Sequence, residues 1–129
     1  GSEENKIKEL IDKNNLNNYF ILLGKKINPY PYIKQCDIYC QPSRYEGKAV
    51  TVREAQILSK PIVITNYPTA KSQVENFYDG YITELSVDGI VNGIKTVIDD
   101  YKLREKLIDN CLKNDFSNIE EINKIYELI

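Results

Sequence analysis

The sequence predicts an α/β fold, a parallel sheet of about four short strands with helices on both faces. Three observations lead there. Short apolar runs that end in turn residues alternate with amphipathic segments. The run from Ile62 to Thr65 is almost continuously β-branched, as in a parallel strand covered on both sides. From Val87 onward apolar residues recur at helical spacing.

The elements follow in order. Glu3 to Lys13 carries Ile7, Leu10 and Ile11 at helical spacing between charges. Asn14, Asn15, Asn17 and Asn18 break that helix, and Tyr19 to Leu23 reads as a buried strand ending at Gly24. A loop with Pro29 and Pro31 leads to a short turn or helix near Tyr32 to Gln35, then to a strand over Asp37 to Gln41. A helix covers roughly Val50 to Ser59, with Val50, Ala55, Ile57 and Leu58 available to the sheet. Lys60-Pro61 stops it, because proline cannot continue a helix. After the Ile62–Thr65 strand and a loop at Asn66 to Pro68, Thr69 can cap a short helix reaching about Phe77. Gly80 to Thr83 supplies a fourth strand. Val87, Ile90, Val91, Ile94, Val97, Ile98 and Tyr101 form one broad helical stripe, and Leu103, Leu107, Ile108, Cys111 and Leu112 the next. Ser117 and Glu120 make a capping box for a closing helix over 118–129.

Composition narrows the function. At 129 residues the chain is one domain, large enough for a core. Its charged (28%) and hydrophobic (42%) fractions are those of a soluble globular protein. A formal charge of −2 creates no field for nucleic acid or an anionic membrane, which argues against both as partners. Apolar stretches of about five or six residues fall far short of the ~20 of a membrane helix. Gly1-Ser2 reads as a cloning remnant, so the chain is expected to be a piece of a longer protein. Cys36, Cys40 and Cys111 stand at no zinc-finger spacing and read as reduced thiols of a cytoplasmic protein. The chain has no histidine, which rules out a Ser-His-Asp or Cys-His relay within it. Chemistry must come from carboxylates, Lys and Arg, hydroxyls and backbone amides, and no metal site is expected.

The segment from Cys36 to Thr65 gathers such groups. Glu46 and Glu54 are separated by seven residues, the first directly followed by Gly47. Chance alone supplies such pairs, and two solvated glutamates are the plain reading. Their setting argues otherwise: the expected strand and helix put them at the carboxyl end of a strand and in the following helix, where open α/β sheets bind ligands. Gly47 permits close approach to the backbone. The amides of Gly47, Lys48 and Ala49 would point out of a helix start, which attracts phosphate. Glu46 can then hold a hexose and Glu54 the ribose of a nucleotide, one carboxylate at each end of a diphosphate.

The stretch PSRYEG…REAQILSKPIVIT resembles the carboxyl-terminal, donor-binding domain of GT-B glycosyltransferases of the retaining family 4 type, also called group 1. The resemblance extends to Leu22-Leu23-Gly24, Asp37-Ile38 before Pro42-Ser43, Lys60-Pro61-Ile62-Val63 and Phe116-Ser117. It implies a Rossmann-like three-layer α/β/α domain, the C-terminal half of a GT-B enzyme, incomplete at its N-terminus. It further implies that residues 3–129 bind a UDP-linked nucleotide-sugar and that the whole enzyme passes a hexosyl group to a glycan or lipid-linked acceptor. Surface polysaccharide synthesis, such as capsule, is the implied pathway. Glu46 would then hold the sugar and be the catalytic residue, Glu54 the ribose, Gly47 to Ala49 the sugar and diphosphate, and Lys25 the nucleobase loop, without a bound cofactor or metal. Peripheral membrane association would belong to the full-length enzyme only.

Two departures qualify the likeness. Lys48 and Ala49 stand where many relatives have an aromatic residue and a second glycine, and Lys48 either adds charge near the diphosphate or points to solvent. The basic pair that neutralises the leaving diphosphate in the family belongs to a strand–helix unit expected before Glu3, so the chain alone is expected to be inactive. Arg44 reads as a surface arginine, or as a brace for Glu46 or a phosphate ligand. Asp37 reads as structural, and Tyr39 and Tyr45 as packing or cleft residues. Asn66 and Thr69 lie at the sheet end that can touch substrate, with loop capping as their ordinary role. Two other functions stay open: a sugar-nucleotide epimerase or hydrolase on the same scaffold, and a noncatalytic α/β interaction module such as a receiver-like domain.

Overall fold

The computed structural model describes residues 1–114 and 127–128. The element order is α1 (Glu4–Lys13), α2 (Tyr30–Gln35), β1 (Tyr39–Gln41), α3 (Val50–Ile57), β2 (Ile62–Thr65), α4 (Ala70–Gln73), β3 (Tyr81–Thr83), α5 (Val87–Asp99) and α6 (Tyr101–Lys113). The three strands form one parallel sheet in the order β1-β2-β3. Gln41 stands opposite Ile64 and Ile64 opposite Ile82, so the carboxyl ends of all three strands lie on one side.

The central strand explains the layering. All four residues of β2 are buried, and successive side chains point to opposite faces. Ile62 and Ile64 enter a core with Ile33, Val52, Ala55, Tyr67, Ala70 and Val74, contributed by α2, α3, α4 and their loops. Val63 faces Val97 and Leu107 on the other side, with Ile90, Ile94 and Leu103 packed around them from α5 and α6. The result is the expected α/β/α layering. Ser86 caps α5 by accepting from the Gly89 amide (2.9 Å), and Asp100 caps α6 by accepting from Leu103 (2.9 Å).

Several sequence expectations shift. The sheet has three strands among the described residues, where about four were expected. The missing one is Tyr19 to Leu23, which belongs to no sheet and is exposed, with Tyr19 at 85% and Ile21 at 70%. Its apolar run has strand composition, but a strand needs a paired neighbour, and no described segment pairs with it. The helix expected from Thr69 to Phe77 is one turn, Ala70–Gln73, and Val74 is already extended. On α3 the inward residues are Val52, Glu54, Ala55, Gln56 and Ile57, while Val50 turns outward. The stripe on α5 is buried only along Gly93 and Val97, with Val87, Val91 and Ile98 exposed. Gly93 is required there. A Cβ would lie 2.2 Å from Thr83 Cγ2 and 3.2 Å from Val63 Cγ1, so α5 sits on the sheet at a distance only glycine permits. The capping box at Ser117 and Glu120 and most of the closing helix lie outside the described residues, as does Phe116.

Candidate functional site

The loop from Pro42 to Ala49 connects the end of β1 to the start of α3 and carries the first carboxylate. Glu46 is half-buried, and its Oε1 accepts a hydrogen bond from Ser43 Oγ at 2.7 Å. Gly47 has open space where a Cβ would stand, with nothing within 4 Å. Its φ is not in the left-handed region, so its value is the unobstructed approach it gives to the backbone. Ala49 takes the N-cap position of α3 and offers no side-chain cap. Among the described residues, the amides of Gly47, Lys48 and Ala49 have no protein acceptor.

Glu54 lies further along α3 and is 8% exposed, which a carboxylate tolerates only with a partner. Tyr30 on α2 supplies one, donating its hydroxyl to Glu54 Oε1 at 2.9 Å. Tyr39 on β1 senses both carboxylates. Burial pushes its phenol up, the Thr51 hydroxyl opposes that, and the charges of Glu54 and Glu46 add to it. The Tyr39 hydroxyl therefore stays protonated and donates to Gln41 Oε1 at 2.7 Å, which also accepts from Thr51 Oγ1 at 3.0 Å. Polar groups of β1, the acidic loop and α3 thus gather at the carboxyl end of the sheet.

The connection from β2 to α4 holds the loop from behind. Thr65 Oγ1 donates to the Ser43 carbonyl, Thr69 Oγ1 to the Glu46 carbonyl at 2.8 Å, and Gln73 Nε2 to the Gly47 carbonyl at 3.4 Å. Tyr67, 1% exposed, donates to Gln73 Oε1 at 2.8 Å. Burial, with the Glu46 charge adding to it, pushes the Tyr67 phenol up to about 12.

The other predicted site residues sit differently. Arg44 and Lys48 are exposed, and no ion pair joins either to a described residue. Lys25 lies in the exposed 21–26 stretch, and no hydrogen bond or ion pair with a described residue ties it to the acidic loop. Thr69 does not cap its own helix. Asn66 is exposed, and its amide donates to the Thr83 carbonyl at 2.9 Å. Tyr30, Gln41, Thr51, Tyr67 and Gln73 were not foreseen. Gln41 closes an apolar run and was findable as a polar strand end, whereas Gln73 reaches Gly47 across 26 positions and left no local signal. The three cysteines are free, Cys111 buried and Cys36 and Cys40 half-buried. Among the described residues no group of His, Cys, Asp and Glu could hold a metal ion, and no helix is long and apolar enough to cross a membrane.

The family model of glycosyl transferases group 1 matches residues 1–113. The chain is 30% identical over 118 residues to the Escherichia coli UDP-Gal:alpha-D-GlcNAc-diphosphoundecaprenol alpha-1,3-galactosyltransferase, covering 88% of this chain and 30% of that protein. Among solved structures it is similar to a Staphylococcus aureus TarM mutant in complex with fondaparinux, alpha-GlcNAc-glycerol and UDP, with a TM-score of 0.80 at 22% identity, covering 98% of this chain and 27% of that one. It is also similar to Anabaena Alr3699/HepE in complex with UDP-glucose, with a TM-score of 0.76 at 22% identity, covering 98% and 38%. The chain spans between 18% and 35% of the length of the curated relatives it matches.

Proposed function

The chain belongs to the group 1 glycosyltransferases, and on that premise we propose that it is the donor-binding part of a longer, retaining enzyme of the family 4 type. The supporting observation is the arrangement at the carboxyl end of the sheet. Glu46 and the buried Glu54 lie on either side of a helix start whose preceding amides have no acceptor among the described residues. In this reading the donor is a UDP-linked sugar, in keeping with the UDP-Gal in the name of the E. coli relative and the ligands of the two structures. The acceptor is lipid-linked, as the E. coli relative's name states for that enzyme. The setting in this reading is surface polysaccharide synthesis in the cytoplasm, in keeping with a similar protein named for capsular polysaccharide biosynthesis.

Each group then has one task. Glu46, held by Ser43, accepts hydrogen bonds from sugar hydroxyls and fixes the ring relative to the breaking bond. Glu54, oriented by Tyr30, accepts from the ribose. As the bond from the anomeric carbon to the diphosphate oxygen breaks, negative charge accumulates on the diphosphate. The amides of Gly47 to Ala49 are aligned before that charge appears, so they stabilise it without reorganising. Lys48 and Arg44 add positive charge at the same mouth. Lys25 stands on the nucleobase side in this reading. No bound metal or cofactor is assigned.

The test is Glu46→Ala in the longer transferase. Losing a group that orients the reacting sugar should lower turnover by about a hundredfold or more while the protein stays folded. Turnover within about threefold of the parent would remove Glu46 from the mechanism.

A further inference from the structure

We propose that Thr69 and Gln73 are positioning residues, which aim the amides of the acidic loop at the donor diphosphate by holding the carbonyls on the other side of the same peptide units. This rests on the loop being the donor site.

The geometry begins with the planar trans peptide. In such a unit the C=O of one residue and the N–H of the next point in opposite directions. Thr69 Oγ1 holds the Glu46 carbonyl at 2.8 Å, so the Gly47 N–H points away from α4. Gln73 Nε2 holds the Gly47 carbonyl at 3.4 Å, so the Lys48 N–H does the same. Thr65 acts likewise on the Ser43 carbonyl at the start of the loop. Three side chains behind the loop donate only to carbonyls, while the amides of Gly47, Lys48 and Ala49 meet no described acceptor.

Both donors are directed by contacts outside their own one-turn helix. Thr69 occupies the N-cap position of α4, where a threonine hydroxyl ordinarily accepts from its own helix amides. With φ −96° and ψ 2° its backbone is outside that extended capping geometry; it accepts no such bond, and its hydroxyl hydrogen goes to the acidic loop, 23 positions away. Gln73 is fixed at both ends. Tyr67 donates to its Oε1 at 2.8 Å, which turns Nε2 toward Gly47, and its backbone carbonyl accepts from the buried Gln56 Nε2 at 2.9 Å.

Ligand affinities test the idea through the contribution of the β-phosphate. The longer transferase, ¹⁵N-labelled, is titrated with UMP and with UDP, and affinities are read from amide shifts. In the parent, UDP should bind more tightly and move the Gly47, Lys48 and Ala49 amides. Thr69→Val keeps the shape but removes the donor. The UDP-to-UMP affinity ratio should fall about fivefold, the worth of one hydrogen bond, and Thr69→Ser should restore it. A general loss of structure would lower both affinities and leave the ratio alone. An unchanged ratio in Thr69→Val, with the three amides still shifting, overturns the positioning role and leaves the loop as the donor site. A parent whose loop amides ignore millimolar UDP overturns both. If Thr69→Val does not fold, Gln73→Leu is read by the same ratio.

Discussion

Glu54→Gln separates what a buried carboxylate does for the fold from what it does for a ligand. Glu54 is 8% exposed, and its Oε1 accepts from Tyr30 at 2.9 Å. Glutamine keeps an oxygen in that place, so the bond survives as a neutral one. A bond to a charged group contributes about 1.5–3 kcal/mol and a neutral bond about 0.5–1.5 kcal/mol, a loss near 1 kcal/mol. Removing a charge from a buried site offsets part of it. The net change should stay within about 1 kcal/mol, a Tm shift of about 5 °C or less for a chain this size. Binding should respond more strongly. Two ribose hydroxyls that donate to a carboxylate each lose about 1 kcal/mol when the acceptor becomes neutral. The sum of about 2 kcal/mol corresponds to a roughly thirtyfold weaker Kd. Calorimetric titration with UDP and thermal unfolding by circular dichroism measure the two effects on the same samples. An affinity within twofold of the parent would show that Glu54 does not meet the ribose. A Tm drop above about 10 °C would show that the charge itself, more than the hydrogen bond, holds α2 against α3.

Two further outcomes test the fold around the site. Gly93→Ala would normally gain up to about 1 kcal/mol in a helix. Here its Cβ falls 2.2 Å from Thr83 Cγ2, whose hydroxyl is tied to the Glu84 carbonyl, so a net loss of about 1–3 kcal/mol in urea unfolding is expected. A stabilised variant would mean that α5 does not press on the sheet as described. The second outcome concerns alkaline pH. The Tyr67 phenol is raised from 10.0 to about 12, so the fold favours its protonated form. That contribution is fully present below pH 10 and is lost as pH rises through 12. Cys111, pushed up to about 12 by burial and by the nearby Asp79 charge, acts in the same direction. The drop in urea midpoint between pH 8 and pH 11 should therefore be smaller in Tyr67→Phe than in the parent, and an equal drop would contradict the burial assigned to Tyr67.

Much of this molecule was legible in its residues because the relevant signals are local. Ile62 to Thr65 announced a strand buried on both faces, since a covered strand has no polar side to show. Pro61 and the helical spacing after Gly47 placed α3 within two residues of its observed end. The strand-to-helix position of Glu46 and Glu54 followed from those bounds. The Tyr19–Leu23 run failed for the opposite reason. Its composition suited a strand, but a ladder is made with another segment, and composition does not name one. On α5, spacing marked one broad stripe, whereas Gly93 decided which part of it could reach the sheet.

The sequence by itself determined the layer order, the buried central strand and the helix start that follows the first glutamate. Periodicity and turn chemistry act over a few residues, and those are printed in the chain. Only the tertiary structure decided how the acidic loop is held. Tyr30 reaches Glu54 across 24 positions, Thr69 leaves its own helix for the Glu46 carbonyl, and Gln73 closes on Gly47. A side chain's local preference is a contest between nearby and distant partners. The distant partner exists only once the parallel sheet has brought the ends of β1 and β2 side by side.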